Sequence, residues 1–175
     1  MTEDGSNGYE GIADIYVAGR GTRPLVGDAI GADIVRAWAR AFPPGATVLD
    51  LGSGPGEPST RILQEAGLAT FAVEASSAMV AAFRERFPGV PIEQNTVEAS
   101  ELFNRTFDGV LAWGLLFLLK PVAQALVIEK VACAPSDWDR RPVMASSHSC
   151  ASRGAVKRKR PPGLSAPATF SMTSA

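Results

Sequence analysis

The stretch Thr47-Val48-Leu49-Asp50-Leu51-Gly52-Ser53-Gly54-Pro55-Gly56-Glu57-Pro58-Ser59-Thr60 decides the fold. Val48, Leu49 and Leu51 read as a short buried strand, with Asp50 near its end. Glycines then occupy every second position, at Gly52, Gly54 and Gly56. A glycine reaches dihedrals that a Cβ forbids and lets the main chain approach a ligand closely. Ser59 and Thr60 offer helix-entry hydroxyls, and Pro58 is tolerated in a first helical turn. The stretch is therefore a strand, a glycine-rich turn and the start of a helix.

Upstream, Ile12, Ile15 and Tyr16 can share one face of a short helix within Tyr9–Val17. Gly19, Gly21 and Pro24 then punctuate a loop. A helix is predicted from Leu25 to Phe42, with Ile30, Ile34 and Trp38 at every fourth residue and Pro43-Pro44-Gly45 ending it. Downstream, the pattern predicts a helix from Pro58 to Ala66 stopped by Gly67. A short apolar strand, Phe71 to Glu74, comes next. A helix from Ser77 to Phe87 carries Met79, Val80, Phe83 and Phe87 on one side. Val90 to Gln94 is a third strand, and Pro91 assigns it to an edge. Phe107 to Ala112 is a fourth, strongly apolar strand, and Pro121 opens a helix to Cys133. Repeated strand–helix units predict an α/β fold, a parallel sheet with helices on both faces.

The chain has 175 residues, 46% of them apolar and 20% charged, which suits one globular domain. Its net charge of −1 points to neither nucleic acid nor an acidic membrane surface. That total hides an asymmetry. Residues 1–133 carry 10 Lys/Arg and 16 Asp/Glu, whereas residues 134–175 carry 7 Lys/Arg and 2 Asp. Cys133 and Cys150 are too few for a secreted disulfide framework. The acidic N-terminus lacks an apolar signal core, so a cytoplasmic location is expected. The apolar run from Val110 to Leu119 is too short for a membrane span, which takes about 18 residues or more.

The glycine turn admits two cofactor classes. A dinucleotide site of the Gly-x-Gly-x-x-Gly type presents backbone N–H groups to a pyrophosphate. Here its third glycine would fall at position 57, where Glu57 stands, and Asp50 also disfavours an anion. S-adenosylmethionine has the opposite requirement, since it carries a sulfonium and an ammonium and no phosphate. Val48-Leu49-Asp50-Leu51-Gly52-Ser53-Gly54-Pro55-Gly56 resembles the first motif of the class I S-adenosylmethionine-dependent methyltransferases. The resemblance covers about residues 9–133 and implies a Rossmann-like sheet and methyl transfer to a small-molecule acceptor.

It also implies a cofactor site built from Asp50, Gly52, Ser53, Gly54 and Gly56. Glu74, with Ala75 beside it, would receive the ribose hydroxyls. A nicotinamide site would use Glu74 equally well. In Gln94–Ser100, the resemblance assigns Val97 and Glu98 to the adenine, while by itself Glu98 is an ordinary solvated loop acid. Trp113, at the end of the fourth strand, either walls the cofactor or belongs to the core. Tyr9–Arg23 is the family's lid segment, which makes Tyr16 and Arg23 candidates, although packing and a solvated charge account for them as well. No catalytic base and no metal ligands are assigned. His148 lies in the anomalous tail. The partner is a small-molecule acceptor, with no nucleic acid and no membrane, and the oligomeric state is open.

After Ala134 the family pattern breaks. The tail is rich in Ser, Ala, Pro and Arg, includes the basic run Lys157–Arg160, and has few branched apolar residues to offset ordering entropy. The expected organisation is a flexible segment 1–8, a methyltransferase domain 9–133 and a low-order basic tail 134–175. The sheet is expected to be truncated after about four strands, leaving an apolar edge. The abrupt change suggests a tail read out of frame or derived from a misassembled gene. The rival reading is a natural short form that binds the cofactor or a partner without catalysis.

Overall fold

The computed structural model describes residues 5–21, 31–133, 143–145 and 170–172. A 3-10 turn at Tyr9–Ile12 leads into helix α1 (Ala13–Gly21), and α2 follows at Ala32–Ala39. Four strands and three helices come next: β1 (Thr47–Leu51), α3 (Ser59–Glu65), β2 (Ala69–Glu74), α4 (Ser77–Arg86), β3 (Ile92–Gln94), β4 (Gly109–Ala112) and α5 (Pro121–Cys133). Two further strands, β5 (Val143–Ala145) and β6 (Phe170–Met172), are described after α5. The sheet order is β3-β2-β1-β4-β5-β6. Every pair is parallel.

Side-chain alternation along the strands builds two layers. Leu49 and Leu51 of β1, Val73 of β2, and Val110 and Ala112 of β4 pack with Val127 and Val131 of α5. Val48 and Leu111 point the other way, into a core with Val35, Trp38, Ile62 and Leu63 from α2 and α3. On that second face, towards the β3 edge, Ala72 meets Phe83 of α4 and Phe87 at the helix's C-cap. The strand order reverses between β1 and β4. In sheets of this kind, ligands bind at that switch point, beyond the strands' C-terminal ends.

Several expectations change here. The first four strands lie close to where the sequence places them, and β3 is an edge strand. The sheet does not stop at β4, however, because Val110, Leu111 and Ala112 pair with Val143, Met144 and Ala145. Runs of three residues are too short to show a period of two, so β5 and β6 were not legible. β5 and β6 run parallel to each other as well. Ile12 and Ile15 are exposed rather than packed. Their segment lies on α4, where Arg86 donates to the Val17 carbonyl at 3.2 Å and Ser77 hydrogen-bonds Glu10. Arg23, Ile30, His148, Cys150 and the Lys157–Arg160 run lie outside the described residues, as does most of the proposed out-of-frame tail.

Candidate cofactor site

The C-terminal ends of β1, β2 and β4 open into a cavity of about 390 Å³. The glycine turn forms one wall. Gly52 N–H and Ser53 N–H both donate to the Val73 carbonyl, at 2.8 and 3.2 Å, which ties the turn to β2. Gly54 has φ +54° and faces the cavity, with Met79 and Tyr16 the nearest side chains to where its Cβ would lie. Glu74 ends β2 and is buried to 8% exposure. One carboxylate oxygen accepts from Gly54 N–H at 2.8 Å and the other from Ser76 N–H at 2.9 Å. Both oxygens retain lone pairs for further donors.

Eight of the ten sequence-predicted residues line this space: Gly52, Ser53, Gly54, Glu74, Ala75, Val97, Glu98 and Trp113. Asp50 and Gly56 do not. Alternation sends Asp50 to the same face as Val48, towards α3. There its Oδ2 accepts the Thr60 hydroxyl at 2.7 Å, while Oδ1 is buried with no partner among the described residues. The two hydroxyls read as helix-entry groups do not cap α3, since its N-cap is Pro58 with no side-chain bond. Thr60 instead serves Asp50, and Ser59 lines the cavity. Gly56 turns away from the cavity, against Phe83 and Phe87.

The cavity also gathers residues that the sequence did not reveal. Gly5, Ser6 and Asn7 arrive from the N-terminus, and Leu115 and Phe117–Leu119 arrive from the turn after β4. Tyr16 lines the cavity in edge contact with Tyr9 at 5.4 Å. These residues come from opposite ends of the domain, and no local pattern links them. Glu57 also lines the cavity, but Arg61 pairs with it, its Nε at 2.6 Å. That partner weakens the electrostatic case made from Glu57 against a pyrophosphate.

Burial pushes the Asp50 carboxyl up to about 6, opposed by the hydroxyls of Thr60 and Ser59 and assisted by the charge of Glu74. The sign follows from the order of ionisation. As pH rises through about 4, Asp50 ionises in the unfolded chain while the folded protein holds it protonated. Its contribution to stability is therefore full below pH 4 and is lost on the way to pH 6, by about 3 kcal/mol. Asp50→Asn removes the ionisation and keeps an oxygen for Thr60. Urea titrations between pH 4 and 7 should show a flatter pH dependence in the variant than in the wild type. Identical slopes would refute this account of Asp50.

The arrangement has known counterparts. A TehB-like S-adenosylmethionine-dependent methyltransferase from Corynebacterium glutamicum superposes with TM-score 0.62 at 17% identity, over 71% of this chain and 67% of that one. Residues 48–134 match the family model described as a methyltransferase domain. This chain carries a class I methyltransferase domain.

The methyltransferase domain is also similar to the CcbJ methyltransferase from Streptomyces caelestis. That match has TM-score 0.63 and 21% identity, over 77% of this chain and 55% of the other. A sugar N-methyltransferase from Streptoalloteichus matches at 30% identity with TM-score 0.54, over 68% of this chain and 47% of that one. The chain thus spans about half the length of these last two enzymes. No curated protein matches it by sequence. Among the described residues, no helix is long and apolar enough to cross a membrane, and no cluster of three His, Cys, Asp or Glu forms a metal site.

Proposed function

We propose that this methyltransferase domain binds S-adenosylmethionine in the cavity at the β1–β4 switch point and transfers its methyl group to a small-molecule acceptor in the cytoplasm. The observation that carries the reading is the placement of Glu74. Its carboxylate sits at the end of β2, anchored to the glycine turn through Gly54, on a cavity that holds two further acids, Glu57 and Glu98. Among the described lining residues there is no Lys, Arg or His. A cofactor with two cationic centres and no phosphate fits this lining. A pyrophosphate fits it less well, since Glu74 and Glu98 would repel it.

On this reading, Gly52, Ser53 and Gly54 bring main chain against the amino-acid part, and Glu74 with Ala75 receives the ribose. Val97 and Glu98 meet the adenine, and Trp113 closes the side that follows β4. Asp50 and Gly56 act from behind, holding the turn through α3 and α4. The cofactor supplies an activated methyl group. The protein's part is to hold an acceptor nucleophile in line with it, and positioning of that kind supplies a large share of the rate in such reactions. The apolar rim of Leu115, Phe117, Leu118 and Leu119 suits a small acceptor with an apolar face.

Calorimetric titration with S-adenosylhomocysteine and, separately, with NAD tests the reading. Binding of the first and not the second is expected. Binding of NAD alone would overturn it. One rival is a cofactor-binding form without catalysis. Methyl transfer from labelled S-adenosylmethionine to a panel of small-molecule amines and alcohols separates the two, because the rival predicts binding without transfer.

A further inference from the structure

The segment Asn95–Ser100 leaves β3 and lines the cavity with Asn95, Thr96, Val97 and Glu98. It forms neither helix nor strand, so its main-chain groups need other partners. Lys130, in the last turn of α5, supplies three of them. Its Nζ donates to the carbonyls of Ser100 at 2.6 Å, Glu98 at 2.7 Å and Val97 at 3.4 Å. An ammonium has three N–H donors, and here all three are spent on one loop.

A second grip comes from the sheet side. Glu93 of β3 accepts the hydroxyl of buried Ser100 at 2.7 Å and the side-chain amide of Asn95 at 3.0 Å. The Ser100 oxygen in turn accepts Leu102 N–H at 3.0 Å. The loop is therefore held at both ends by Glu93 and along its carbonyls by Lys130. Charge-assisted bonds of this type are stronger than neutral ones. Lys130 itself does not line the cavity, so its influence on a ligand passes through the loop.

We infer that Lys130 is a positioning residue for base recognition. By gathering the carbonyls of Val97, Glu98 and Ser100 it fixes the edge of the cavity that distinguishes an adenine from other bases. The inference rests on the cofactor reading above, and the test separates the two. Affinities for S-adenosylhomocysteine and for S-inosylhomocysteine, which lacks the 6-amino group, are measured by calorimetry on the full chain. Wild type prefers the adenosyl form. In Lys130→Met that preference falls about tenfold, the loss of one well-placed hydrogen bond to a charged group. Lys130→Arg keeps charged donors and holds the preference within about threefold of wild type. Lys130→Gln serves the same comparison should the methionine variant melt early. An unchanged preference in these neutral variants, or an equal loss for both ligands, would overturn the inference, because a merely structural lysine moves both affinities together. Wild-type protein that binds neither ligand would instead overturn the cofactor reading.

Discussion

Gly56→Ala lowers the stability of this protein by about 3 kcal/mol or more, although Gly56 lines no part of the cavity. Two costs add. The residue has φ +87°, a left-handed conformation that costs an L-residue roughly 1–2 kcal/mol. A Cβ there would also lie 2.3 Å from Phe87 Cε2, 2.7 Å from Phe87 Cδ2 and 3.1 Å from Phe83 Cδ2. Phe83 is fully buried and Phe87 nearly so, which leaves little room for either ring to retreat. Overpacking of a filled core typically adds about 1–3 kcal/mol. The contact joins the turn before α3 to the inner face of α4, so the strain is felt where the glycine turn meets the layer behind it. In a thermal melt the midpoint should fall by about 10 °C. A fall of less than about 2 °C would refute both costs.

Glu74→Ala reduces affinity for S-adenosylhomocysteine about 100-fold, on the cofactor reading, and weakens the empty protein as well. Hydrogen bonds to a charged acceptor are worth about 1.5–3 kcal/mol each, and a ribose offers two hydroxyls. The same carboxylate holds Gly54 N–H and Ser76 N–H, one on each oxygen. Removing it leaves both donors without that acceptor, at roughly 1–3 kcal/mol apiece. Glu74→Gln is a sharper probe. Glutamine has one acceptor oxygen, so whichever way its amide turns, an NH₂ faces one of the two N–H groups. It should therefore also bind more weakly than wild type, while losing less than the alanine variant. Calorimetry and thermal melts together check the result. Alanine-variant affinity within threefold of wild type would remove Glu74 from the site.

The two variants expose different kinds of legibility. The position of Glu74 was readable because an acid closing the second strand is a one-dimensional signal, placed a fixed distance after Gly54. The role assigned to Gly56 was only partly readable. Spacing marked it as a glycine that a turn requires, but placed it with the ligand, whereas α4 is what presses against it. Asp50 was misplaced for a related reason. Its sequence neighbourhood is that of the glycine turn, yet strand alternation aims its side chain at Thr60 on the other side of the sheet.

By itself the sequence determined the alternation of strands and helices, the parallel order that follows from it, and the glycine turn with its two acids. These rest on local periodicity and on residues with special backbone freedom, and both are written along the chain. Tertiary structure alone decided which side of the sheet each polar residue faces and which distant segments complete the cavity. It also decided how α5 reaches back to hold the Asn95–Ser100 loop through Lys130. Those outcomes depend on contacts between residues far apart in sequence, and short pieces such as β5 and β6 gain their strand character only from the neighbours they pair with. The glycine turn is legible in one dimension, and the pocket around it exists only once the layers have packed.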